Sequence, residues 1–64
     1  MKLYEIPHGS SFRLLAGGAI PPDAPEVEEG AVYRLRAIDG MYGNCKDASG
    51  QAVYIVAWAD VEPV

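Results

Sequence analysis

The sequence predicts an all-β domain of short antiparallel strands, on three observations. Apolar residues recur at a spacing of two almost throughout, and no window carries a convincing helical period. The runs that alternate are rich in β-branched and aromatic side chains and are bounded by Gly, Pro and Asp, the residues that supply turn geometry. At the centre, Ala31–Ile38 and Met41–Lys46 flank Asp39-Gly40, a dipeptide suited to a tight hairpin because it tolerates positive φ.

Taken in order, Lys2–Ile6 reads as a first strand, stopped by Pro7, which also biases Ile6 toward extended geometry. His8-Gly9-Ser10 is a turn. Ser11–Ala16 alternates as a second strand with Phe12 and Leu14 on one face, and Gly17-Gly18 ends it. From Ala19 to Gly30 the composition shifts to proline and acid; Pro21, Pro22 and Pro25 remove backbone donors and favour an unpaired, solvated connection. A polyproline ligand is the other reading of that stretch, but its usual basic flank is missing. Ala31–Ile38, Met41–Lys46 and Gln51–Val56 then form a three-strand meander, the smallest sheet with a face worth burying, with Asp47–Gly50 as its second turn. Ala57–Asp60 reads as a turn or a single 3₁₀ turn. Val61–Val64 is a short edge strand, where Pro63 is tolerated. Five or six short strands with one small turn before the last suggest an SH3-like β-barrel. An OB-type barrel usually needs more residues and a helix.

The chain has 64 residues, enough for one domain spanning 1–64, with half of its residues apolar. A chain this short buries only about 60% of the surface it exposes when unfolded, so its core is thin. So much apolar surface on so thin a core points to a homo-oligomer. A lone cysteine, Cys45, excludes an internal disulfide and a cysteine-based metal cluster. The N-terminal residues lack the basic and apolar regions of a signal peptide, and no segment approaches the roughly 20 apolar residues of a membrane span. A soluble, cytoplasmic protein is expected. The formal net charge is −4, with Asp23, Glu26, Glu28 and Glu29 together in one loop. Such a chain lacks the basic face needed for duplex nucleic acid.

Strand alternation sorts the side chains of the meander. Tyr33, Leu35 and Ala37 share one face of their strand, and Val32, Arg34, Arg36 and Ile38 the other. Met41, Gly43 and Cys45 oppose Tyr42, Asn44 and Lys46, and Val53 and Ile55 oppose Ala52, Tyr54 and Val56. One face is thus aliphatic. The other carries Arg34, Arg36, Tyr42, Asn44 and Tyr54, a set suited to a planar anionic ligand through stacking and charge-assisted hydrogen bonds. The plainer reading is a solvated outer face whose arginine stems cover apolar rims. Trp58 either plugs the open end of the barrel or anchors an interface. His8 is the one histidine and sits at a turn, far in sequence from Cys45; a zinc site needs more ligands than these two. Cys45 reads as a small buried hydrophobe, and Asp39, Asp47 and Asp60 as turn acids. Gly17-Gly18 precedes no helix and so is no phosphate loop. No catalytic residue, metal or cofactor is expected.

Ile6-Pro7-His8-Gly9-Ser10, Ile38-Asp39-Gly40-Met41-Tyr42 with Cys45, and Val53-Tyr54-Ile55 with Ala57-Trp58 and Val61 resemble a group of short phage and bacterial proteins. That group carries an IPxGS start, an IDGMYSxC centre and a VHLxAxTPV finish. Gly43 stands where the pattern has Ser, and Tyr54 where it has His. Such proteins are similar in size and β-rich character to phage counter-defence proteins, including oligomeric sponges of the anti-CBASS type that sequester cyclic nucleotides. The resemblance implies a non-enzymatic binder of a cyclic dinucleotide or another small anion. Tyr42 and Trp58 would stack on bases, Arg34 and Arg36 would meet phosphates, and Asn44 with the turn amides near Gly40 would read edges. Two other classes stay open: a module docking onto a host protein through an edge strand and Trp58, and a single-strand binder, which needs a longer basic track.

Overall fold

The computed structural model describes residues 1–16 and 27–64. The Gly17-Gly18 strand end and most of the expected proline-rich loop lie outside the described residues. Those described form one five-stranded antiparallel sheet: β1 (Ser11–Ala16), β2 (Val32–Asp39), β3 (Tyr42–Lys46), β4 (Ala52–Val56) and β5 (Asp60–Pro63). Their order across the sheet is β4-β3-β2-β1-β5. A meander of three strands, with the last strand returning beside the first, is the arrangement of a small SH3-like barrel. Among the described residues the sheet stays open, because β4 and β5 occupy its two ends and do not pair.

Alternation places the core. Phe12 and Leu14 of β1, Tyr33 and Leu35 of β2, Cys45 of β3, Val53 and Ile55 of β4 and Val61 of β5 are all buried. Phe12 lies directly opposite Tyr33, their ring centroids 6.1 Å apart. The Tyr33 hydroxyl accepts the Glu28 N–H at 2.9 Å, which ties the end of the β1–β2 connection back to the core.

Three expectations are corrected. Lys2–Ile6 is not a strand: Leu3–Glu5 is a single 3₁₀ turn. Leu3 and the residue that caps the turn, Ile6, are buried three apart, the spacing at which side chains of a 3₁₀ turn eclipse. The turn is held from outside, since the Leu3 and Tyr4 N–H groups donate to the carbonyls of Ala59 and Ala57, both at 2.9 Å. The hairpin loop is Gly40-Met41 rather than Asp39-Gly40, because Asp39 pairs with Tyr42. Of these two loop residues only Gly40 has positive φ, 62°, as in a type II′ turn, where glycine takes the first central position. Finally, a β-bulge between Leu35 and Ala37 sets both Arg36 and Ala37 against Asn44. Beyond it the alternation reverses. Ile38 packs against the core opposite Gly43, and Ala37 joins the outer face.

Gly43 is buried where Leu3 reaches the sheet. A Cβ there would lie 2.7 Å from Leu3 Cδ2, 3.3 Å from Leu35 Cδ1 and 3.4 Å from Ile38 Cδ1. Core packing therefore favours glycine at this position. Gly43→Val is expected to destabilise the fold by about 1–3 kcal/mol through overpacking, read as a fall in the midpoint of thermal or urea unfolding. An unchanged midpoint would show that Leu3 yields freely.

Candidate functional site

The outer face of β2–β3–β4 is organised in cross-strand rows. One row runs Arg34, Lys46, Ala52; the next runs Arg36 with Ala37, then Asn44 and Tyr54; the third runs Asp39, Tyr42, Val56. Arg34 and Arg36 are exposed, Asn44 and Lys46 half-buried, and Tyr54 38% exposed. Among the described residues, two open grooves on this face are lined by its cations. One, of about 650 Å³, is bounded by Gly9 and Ser11 on one side and by Lys46 and Asp47 on the other, with Arg34 and Arg36 along it. The second, of about 320 Å³, is lined by Arg36, Asn44, Lys46, Ala52 and Tyr54. Arg36 and Lys46 line both.

The electrostatics of this face follow from where the five bases sit. Lys2 is paired with Asp60 at 2.7 Å, and Arg13 with Glu62 at 2.8 Å. Among the described residues no ion pair involves Arg34, Arg36 or Lys46, and all three lie on the outer face. Arg34 is directly opposite Lys46. Like charges in that position destabilise a sheet, and among the described residues no ion pair offsets them. The nearest acid in sequence, Asp47, is otherwise engaged. Its Oδ1 accepts the Ser49 N–H at 2.9 Å, the Ser49 hydroxyl at 2.7 Å and the Gln51 N–H at 2.9 Å.

That turn has a pH signature. The Ser49 hydroxyl, with the backbone donors of Gln51, Ser49 and Gly50, holds the Asp47 carboxyl below its ordinary value of 3.8. A carboxylate depressed in the folded state adds stability above its unfolded value and loses it as pH falls through the folded one. Asp47→Ala is therefore expected to lower Tm at neutral pH and to lose that effect progressively as pH falls below the ordinary carboxyl value of 3.8. Thermal melts of both proteins across the acid range check this. An equal deficit at every pH would show that the carboxylate charge contributes nothing.

Two other sequence-selected residues are placed elsewhere. Tyr42 is half-buried, packs against the core and faces Asp39, and it lines neither of these grooves. Trp58 sits in the β4–β5 connection, 49% exposed between buried Ala57 and Ala59, so it does not plug the barrel. Tyr54, where the resembling pattern has His, is on the grooved face. Lys46 is the residue that the sequence reading left out of the site. Alternation already put it beside Asn44, but its position opposite Arg34 follows only from the register.

Cys45 is buried, its Sγ 3.6 Å from the Gly43 carbonyl, and burial pushes its thiol up to about 12. This is the opposite of what activates a nucleophile. His8 is exposed in the Pro7–Ser10 turn. Among the described residues no group of three or more His, Cys, Asp or Glu is placed to hold a metal ion. None of their helices is long and apolar enough to cross a membrane. Compared with protein-family models, with curated proteins and with solved structures, the chain matches none.

Proposed function

We propose that this protein is a non-catalytic binder that sequesters a small nucleotide-like anion, a cyclic dinucleotide being the best fit. Its place of action would be the cytoplasm, that of the infected host if the chain is phage-encoded. The observation that supports the reading is the Arg34–Lys46 pair with Arg36 beside it. Three cations with no ion-pair partner among the described residues share one face of a chain whose net charge is negative. Phosphate oxygens would relieve their repulsion through charge-assisted hydrogen bonds. Tyr54 offers a ring for base stacking, and Asn44 offers a donor and an acceptor to a base edge.

Thermal melts with cyclic and linear purine dinucleotides, together with mass spectrometry of anything released by heating the purified protein, test this. A ligand at a hundredfold excess over Kd adds about 2.7 kcal/mol, a Tm rise on the order of 10–20 °C for a domain of this size. A rise with the cyclic compounds alone is the expected result. No shift with any of them, and nothing released, would overturn the reading. The exposure of Trp58 favours a second one, docking onto a host protein. That reading predicts no nucleotide effect and one dominant captured partner, lost in Trp58→Ala.

A further inference from the structure

The two edges of the sheet differ in how they meet solvent. The β5 edge is blunted: its pairing with β1 is interrupted by a bulge, Pro63 has no N–H, and Asp60 and Glu62 hold ion pairs. Lys2 also bridges to Asp60 there. Among the described residues the β4 edge has none of these devices. Ala52-Val53-Tyr54-Ile55-Val56 carries no charge and no proline, and its five pairs with β3 run without a register shift.

Backbone parity shows what that edge offers. The Gln51 carbonyl accepts the Asp47 N–H at 3.0 Å, and the Ala57 N–H donates to the Met41 carbonyl at 2.9 Å. Both residues therefore turn their backbone groups toward the β3 side. In an unshifted antiparallel ladder the direction alternates with every residue, so Val53 and Ile55 also face β3. Ala52, Tyr54 and Val56 present their N–H and C=O groups outward. One of these, the Val56 carbonyl, already accepts the Ala59 N–H at 3.0 Å and keeps a second lone pair.

We infer that β4 pairs antiparallel with β4 of a second copy, across a two-fold axis at Tyr54. This register uses every outward group. Tyr54 exchanges both hydrogen bonds with its counterpart, and Ala52 and Val56 pair reciprocally with the other copy's Val56 and Ala52. A second copy fits better than a foreign peptide because the strand is complementary to itself about its own middle residue. It also brings no charge onto the shared edge, and it has no charge with which to select a charged peptide. On the outer face the two Tyr54 rings come side by side at the rim of the groove that Arg36, Asn44 and Lys46 line. The inference stands independently of what that groove binds. An interface of one short strand is small, so association is concentration-dependent.

The test is molar mass by sedimentation equilibrium from micromolar to millimolar protein. The mass is expected to rise from that of the 6.9 kDa chain toward twice that value. Ala52→Pro removes an outward N–H and no ladder bond, so it is expected to keep the fold and hold the protein monomeric. Register is tested by Tyr54→Cys. Paired residues that exchange both bonds lie about 5.5 Å apart, within disulfide reach, and this variant is expected to cross-link under mild oxidation. Ala52→Cys places its two thiols well beyond that reach and is expected not to; buried Cys45 serves as the internal control. A monomer at every concentration would overturn the inference. So would a dimer that survives Ala52→Pro, or cross-linking through position 52 in preference to 54.

Discussion

Leu3→Ala is expected to remove most of the stability of this domain. A domain of this size is stabilised by roughly 3–10 kcal/mol in total, at the usual per-residue figures. Truncating a buried leucine costs about 2–5 kcal/mol, the spread depending on how far the cavity collapses. Leu3 is completely buried, yet it sits on a 3₁₀ turn outside the sheet. Its backbone is bound to the β4–β5 connection and its side chain fills the place that Gly43 leaves empty. Losing the side chain therefore loosens the N-terminal segment as well as the core. Leu15→Ala is the control: Leu15 is exposed, and its change is expected to stay within about 0.5 kcal/mol. Urea unfolding of the two variants reads the difference. Equal midpoints would mean that the N-terminal turn is dispensable to the fold.

Lys46→Glu is expected to separate stability from binding in opposite directions. It converts the like-charge pair with Arg34 into an opposite-charge pair, worth about 0.2–1 kcal/mol in a sheet, so Tm should rise slightly. The same change places a carboxylate in both grooves and should abolish dinucleotide uptake. On the proposed reading, Arg34→Ala and Arg36→Ala would each remove a charge-assisted contact worth about 1.5–3 kcal/mol. Each should weaken uptake roughly 10- to 100-fold with little change in Tm, since both side chains are exposed. Uptake that persists in all three variants would place the site elsewhere. A fall in Tm for Lys46→Glu would mean that the repulsion is already offset in solution.

The bulge explains why the site was only partly legible. Arg34 and Arg36 are two apart, and simple alternation puts them on one face, where they are found. Alternation also predicts Ile38 there, and Ile38 is turned inward because one extra residue is accommodated opposite Asn44. An extra residue leaves no local mark in composition; it is set by the register that β3 imposes. Tyr42 stands on the expected outer row but is half-buried there. Its row ends on Val56, which is buried at the same register although alternation assigns it to the outer face.

Residue order alone determined what depends on near neighbours: the strand class, the locations of all five strands to within a residue or two, the turns at Gly9, Gly40 and Gly50, and the apolar face built from Phe12, Leu14, Leu35, Val53 and Ile55. Period-two burial and glycine's access to positive φ are local properties, so a single chain displays them. Tertiary structure decided what depends on contacts between distant segments. It set Leu3–Glu5 as a 3₁₀ turn, because the carbonyls that hold it belong to Ala57 and Ala59. It brought Lys46 opposite Arg34, and it left the outward backbone groups of Ala52, Tyr54 and Val56 on an unblunted edge. Hydrogen-bond direction and cross-strand register arise only when a second strand is present to define them.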